Sequence, residues 1–439
     1  MSSSASRLSR RQFLGASMTA AGAMAVGPFG TIASAQFGGP LPLSDLRPSG
    51  ALDESYWWKV RSQFNIVDGL AFMNNGTAGP MPRVVYEVNA RILREIAEDP
   101  KDNYRNEQAN ESREKLAVFM GADPDEISIT RSTSEGMNVF AHGLDWREGD
   151  EVLVNNHEHG GGLGPYRTLE KRRGIKINTI EVPSPFESVD QIVGMYRSAM
   201  TPRTRVIMVS HMPYVTGTVM PIKELAELAH SQGAMISVDG AHPLGMLDLD
   251  MHALGIDHYA AAGQKWLLAG TGTGVMYIKK DVQAQVWPLM GAPDEPRPGS
   301  SKYERYGQRN APSAAGIGTA VDFHSAIGKK NIEARDRTLG SRLRAGLKEI
   351  PGVKLWTPDD AVLACGLSLF SIRDIPMANV VTAIRDHGRV HIRTMGTGNL
   401  NAVRASTALY NMPEEVDQLL DAVRYVSENA SKYMTSTQQ

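Results

Sequence analysis

Short apolar runs rich in β-branched residues recur along the chain and alternate with longer stretches of amphipathic pattern. Glu151-Val152-Leu153-Val154, Val206-Ile207-Met208-Val209, Met235-Ile236-Ser237-Val238 and Gly274-Val275-Met276-Tyr277-Ile278 have the length and composition of buried strands. Between them lie helical patterns such as residues 222–231, ended by Gly233. This alternation predicts an α/β domain built on a mainly parallel sheet. From about Ala311 the pattern changes to long helices over residues 316–327 and 331–350. Short strands follow, then a final helix from Pro413 to about Tyr433, which predicts a smaller α+β domain. The expected organisation is a leader over residues 1–35, an arm over 36–65, a large domain over 66–315 and a small domain over 316–439. A chain of 439 residues is long enough for two cores.

Composition adds little to this picture except at the N-terminus. A net charge of −2 gives no sign of a nucleic-acid or anionic-membrane partner. The one cysteine, Cys365, cannot form an internal disulfide and lies in an apolar, strand-like run. The first 35 residues carry arginines and no acids. Ser9-Arg10-Arg11-Gln12-Phe13-Leu14 resembles a twin-arginine export signal, followed by an apolar run and a small-residue cleavage site, Ala33-Ser34-Ala35. This predicts export by the twin-arginine machinery to the periplasm. No later segment has the roughly 18 uninterrupted apolar residues of a membrane span.

In open α/β sheets ligands bind beyond the C-terminal ends of the strands, so the polar residues that follow the apolar runs are the candidates for chemistry. Asp239 and His242 follow one run in Val238-Asp239-Gly240-Ala241-His242, and Lys265 follows the next in Ala262-Gly263-Gln264-Lys265-Trp266. A lysine of depressed pKa is a Schiff-base nucleophile, and a carboxylate beside it suits the ring nitrogen of a pyridoxal cofactor. Either residue alone serves equally as a salt-bridge member. Upstream, Ser132 with Glu135 three residues later fits a capping box, which serves as a plain helix cap or as an anion site. His157 and His159 stand at a spacing that also suits a metal pair. The glycines of Gly270-Thr271-Gly272-Thr273-Gly274 follow the lysine instead of opening a βαβ unit, which marks a tight turn.

With Ser237-Val238-Asp239-Gly240-Ala241-His242 and Gln264-Lys265-Trp266, residues 72–426 resemble the class V aminotransferases of the fold-type I pyridoxal-phosphate enzymes, most closely the isopenicillin N epimerase-like branch. The resemblance implies pyridoxal 5′-phosphate on Lys265, Asp239 at the pyridine nitrogen and His159 stacked on the ring. It implies Thr133 and Ser134 at the phosphate, with His242, Gln264 and Tyr214 also near the cofactor. It further implies that Arg404 binds the substrate carboxylate, with Asn75 on the substrate side, and that Gln308 reaches the neighbouring subunit's phosphate in a homodimer. Ala262 and Gln264 depart from the Ser and His common in the family, and Tyr214 from the common Asn. The implied activity is at the α-carbon of an amino acid or amino-acid-containing metabolite. Aminotransferase and epimerase both fit, the latter with a second acid drawn from Tyr166, Tyr214 or His159. A periplasmic binding protein that has kept the fold and lost the chemistry is the alternative of another class. The loop expected to carry a desulfurase's reactive cysteine, residues 393–402, contains none.

Overall fold

The computed structural model describes residues 39–50, 52–100, 104–291, 299–305, 307–396 and 401–434. The export-signal motif lies outside these residues, as does Tyr306. From Pro40 onward the chain forms one compact unit. Its centre is a seven-stranded sheet of β1 (Ile127–Thr130), β2 (Glu151–Asn155), β3 (Lys176–Ile180), β4 (Thr204–Ser210), β5 (Met235–Gly240), β6 (His258–Ala262) and β7 (Gly274–Ile278). The spatial order is β1-β7-β6-β5-β4-β2-β3. All neighbours are parallel except where β7 runs antiparallel to β6 and β1. The four apolar runs of the sequence are strands, Gly274–Ile278 with the same bounds and the other three lengthened by one to three residues.

Successive side chains of these strands point to opposite faces, and both faces are covered. Val206 and Met208 pack with Met137 and Phe140 of helix α4 (Thr133–Gly143) and Leu163 and Leu169 of helix α5 (Gly160–Arg173). Ile207 and Val209 pack instead with Ile192 of helix α6 (Val189–Ala199) and Leu225 of helix α7 (Ile222–Ser231). The helix ends obey local chemistry. Helix α5 closes on Gly174 at φ 71°, with Lys171, Arg172 and Arg173 in its last turn, where cations complement the helix dipole.

The segment expected as an arm is packed, not free. It holds helix α1 (Glu54–Arg61), whose Tyr56, Trp57 and Val60 enter the main core. Helices α2 (Arg83–Glu98) and α3 (Tyr104–Met120) come next, and α8 (Met251–Leu254) is a single turn before β6. Helix α9 (Ala311–Ile327) begins before the expected boundary, and its Ile317, Ala320 and Phe323 lie in the large-sheet core. The chain crosses to a second sheet through helix α10 (Lys329–Lys348). That sheet comprises β8 (Val353–Leu355), β9 (Leu367–Ile372), β10 (Arg393–Met395) and β11 (Ala402–Ser406), in the order β10-β11-β9-β8 and antiparallel throughout. Its core takes Leu339 and Leu343 of α10, Ile384 of helix α11 (Met377–Gly388) and Leu419 and Val423 of helix α12 (Pro413–Glu428). The final helix stops five residues short of Tyr433, in a 3-10 turn over Ala430–Lys432. No helix among the described residues is long and apolar enough to cross a membrane.

Truncating a fully buried residue of the central sheet should be costly, and truncating an exposed one should not. Ile207→Ala, at a position with no solvent exposure, is expected to lose about 2–5 kcal/mol. Val118→Ala, at 85% exposure, should stay within about 0.5 kcal/mol. Urea unfolding followed by circular dichroism measures both.

Candidate active site

Because the parallel strands end at one edge, the loops after β4, β5 and β6 meet there with the start of α4. A single cavity at this edge is lined by Thr133, Ser134, His159, Tyr214, Asp239, His242, Gln264, Lys265 and Arg404, residues widely separated in sequence. Two expected residues fall outside it. Asn75 is fully buried beside the cavity wall, its Oδ1 accepting a hydrogen bond from the Tyr410 hydroxyl at 3.1 Å. Its neighbours Gly76 and Thr77 line the cavity instead. Gln308 sits on an exposed turn ahead of α9, away from this chain's cavity.

The end of β5 and the loop after β6 bring a carboxylate and an amine to one cavity. Asp239, at 4% exposure, accepts from the Ala241 amide at 3.1 Å. Burial raises its pKa, against the pull of Lys265. Lys265 Nζ lies 3.2 Å from His242 Nε2. Burial, reinforced by Arg404, lowers the lysine pKa to about 7. His242 Nδ1 meets the Met212 carbonyl at 3.0 Å, and burial holds its pKa well below the usual value. His242 Nε2 also lies 3.3 Å from the Gly76 carbonyl, so both ring nitrogens face backbone carbonyls and a neutral ring donates to one of them. Behind this pair, Glu158 accepts from the amide and hydroxyl of Ser210, at 2.9 and 2.6 Å, and burial raises its pKa to about 8.

Two helix starts converge at the far end. Ser132 caps α4, its hydroxyl accepting from the Glu135 amide at 3.2 Å. The capping box is only half formed, since the Glu135 carboxylate turns back to the Arg131 amide at 2.7 Å and not to that of Ser132. His159 caps α5, its Nδ1 accepting from the Gly161 amide at 3.0 Å, and its ring meets Tyr214 edge-on at 5.0 Å. A Cβ on Gly161 would lie 2.6 Å from Ser134 Oγ, so glycine lets the two helix starts close on each other.

On the remaining side Arg404, at 2% exposure, donates to the Tyr214 carbonyl at 3.1 Å, while its buried Nε has no partner. Burial, then the nearby Arg393, lower its pKa to about 9. Arg393, which the sequence reading missed, also lines the cavity. It lies on a strand of three residues, too short to show a period. Tyr166, one candidate for a second acid, is buried in the core beneath the sheet; only Tyr214 and His159 of that group line the cavity. Cys365 is fully buried in the main core and does not line it.

The residues fit pyridoxal phosphate. Thr133 Oγ1 is a buried polar atom without a partner, and this hydroxyl stands at a helix N-terminus suited to a phosphate, while Gln264, lining the same cavity, can donate through its amide nitrogen. Asp239 is the one carboxylate and Lys265 the one amine among the lining side chains. Gly76 leaves room for the buried Arg404 guanidinium. A Cβ there would approach the Arg404 guanidinium to 2.6 Å. Gly76→Ala is therefore expected to weaken binding of a carboxylate ligand by about tenfold or more while leaving cofactor absorbance unchanged; calorimetric titration and a visible spectrum check the two halves.

The geometry agrees with the comparisons to known proteins. The family described as Aminotransferase class-V matches residues 73–419. An isopenicillin N epimerase of Streptomyces clavuligerus is 27% identical over 387 residues, covering 84% of this chain and 97% of the relative. A probable cysteine desulfurase of Methanothermobacter thermautotrophicus is 30% identical over 343 residues, covering 72% and 83%. The solved structure of a C-DES variant, with glycine covalently linked to its pyridoxal phosphate, shares the fold at a TM-score of 0.75 and 24% identity, covering 83% of this chain and 98% of that one. With most of its length matched and residues that suit the cofactor gathered in one cavity, the chain belongs to the class V aminotransferase family of pyridoxal-phosphate enzymes.

Proposed function

We propose that the protein acts at the α-carbon of an amino acid or an amino-acid-containing metabolite, with transamination as the net reaction. The observation that carries this is Lys265 Nζ, an amine with its pKa lowered to about 7, beside a neutral imidazole at 3.2 Å in a cavity that also holds the Asp239 carboxylate. When bound, pyridoxal phosphate supplies the electron sink that makes an α-proton removable. Lys265 near neutrality is suited to take that proton and return it. Asp239 suits the ring nitrogen, whose proton it would hold, and Thr133, Ser134 and Gln264 suit the phosphate. Arg404, a planar fork with an unpaired buried Nε, would orient the substrate through its carboxylate and so decide which bond faces Lys265.

Epimerisation is the second reading. It is favoured by the similarity to isopenicillin N epimerases and by Tyr214 and His159, polar side chains in the cavity that could serve a second face. Desulfuration has less support. It needs a thiol in reach of the substrate, and burial pushes the Cys365 thiol far above its usual pKa. The proposal includes export, supported by the arginine pair at Arg10-Arg11 and Ala33-Ser34-Ala35, and a homodimer, supported by the family resemblance around Gln308.

Two measurements test the chemistry. On mixing cofactor-free protein with pyridoxal phosphate, the rate at which the yellow band develops should rise about tenfold per pH unit below pH 7 and level off above about pH 8, following the free amine. A rise continuing to pH 10 would show an ordinary lysine. Adding L- and D-amino acids without a keto acid should bleach the band stoichiometrically for the true donor and release its keto acid, and Lys265→Ala should lose this turnover. Exchange of the α-hydrogen with solvent deuterium, with inversion and no keto acid, would favour epimerisation instead.

A further inference from the structure

Arg393 and Arg404 stand directly opposite each other across the antiparallel pair β10–β11. Residues so paired project on the same face, and like charges in that position cost stability. Neither has a carboxylate partner among the described residues. Arg393 Nη1 donates to Thr77 Oγ1 at 2.8 Å, Arg404 Nη1 donates to the Tyr214 carbonyl at 3.1 Å, and the buried Arg404 Nε is unpartnered. The segment joining the two arginines, residues 394–403, contains no acid that could pair with them.

The charge balance of the cavity points the same way. Asp239 is the one carboxylate among its lining residues, against the cations Lys265, Arg393 and Arg404. Thr133, Ser134 and Gln264 offer a phosphate its own cradle, so neither arginine is needed there. One arginine suffices for the α-carboxylate of an amino acid. Arg404 is buried at the cavity wall, whereas Arg393 is exposed, and the two therefore offer anion sites of different depth.

Resting on the reading of the substrate as amino-acid-like, we infer that Arg393 is a specificity-determining residue that binds a second carboxylate, so that the preferred substrates are amino-bearing dicarboxylates or larger metabolites with a comparable second acid. The Arg393 guanidinium is held from one side by Thr77, whose hydroxyl in turn donates to Asn74 Oδ1 at 2.9 Å. This anchoring presets the fork and leaves its other edge for the ligand, reducing the entropy lost on binding.

The test uses ligands without an amino group, so that it does not depend on catalysis. Succinate, glutarate and adipate are each compared with their half-amides by isothermal titration calorimetry on the full protein saturated with pyridoxal phosphate. In the wild type at least one diacid is expected to bind about tenfold tighter than its half-amide, since a site built for a charged oxygen rejects the analogue lacking it. Arg393→Gln should bring that ratio close to one, with half-amide binding unchanged, and Arg393→Lys should keep part of it. Arg404→Gln should weaken both ligands. A wild type that binds no diacid, or binds every diacid no better than its half-amide, overturns the inference. So does an R393Q variant that keeps the ratio, or one that weakens both ligands equally, which would mean that both arginines grip one carboxylate. Arg393 is exposed, so the variants should fold, and matching thermal midpoints check this. A protein without the yellow band that still shows the Arg393-dependent ratio would defeat the proposed chemistry while leaving this inference standing.

Discussion

Burying charge is the constraint on which the site depends. Asp239, Lys265, His242 and Arg404 lie together where water is largely excluded, and each is driven toward its neutral form by desolvation. The attraction between Asp239 and Lys265 offsets only part of this. The lysine therefore has a usable amine near neutrality, and the cavity is left with more cationic groups than anionic ones. A cofactor bearing a phosphate and a substrate bearing carboxylates would relieve both conditions.

Holding such groups together requires several chain segments to approach closely, and the backbone between residues 73 and 79 does much of this. The Ser406 amide donates to the Met73 carbonyl at 2.8 Å, and the Gly79 amide donates to the Gln264 carbonyl at 2.8 Å. One loop is thus fastened both to the end of β11, which carries Arg404, and to the turn that carries Lys265. Gly76 lies at the point of closest approach to Arg404. The small sheet and the large sheet are coupled through this loop, so the spacing between Arg404 and Lys265 is fixed by backbone hydrogen bonds.

Relatives with this fold include proteins named as epimerases and as cysteine desulfurases, so the fold does not specify the reaction. In this chain the cavity wall carries Tyr214, His159, Met395 and two arginines, and the only cysteine is buried in the core.

Much of the architecture was legible in the sequence because burial on both faces of a sheet leaves continuous apolar runs, and the four runs read as strands are strands. The position of Asp239, His242 and Lys265 just beyond those runs marked the binding edge for the same reason, and Ser132 declared the start of α4 through its cap. The sequence could not show that α9 packs into the large-sheet core, because its small residues, Ala314, Gly316 and Ala320, signal close approach without naming the partner. Nor could it separate Asn75, buried against Tyr410, from Gly76, which lines the cavity. Tyr166 and Tyr214 look alike as tyrosines, yet one lies under the sheet and the other beside His159. Arg393 became visible only through its register opposite Arg404. Local periodicity determined the elements and the edge at which chemistry collects; the pairing of charges across that edge depends on long-range register and desolvation, which only the folded chain decides.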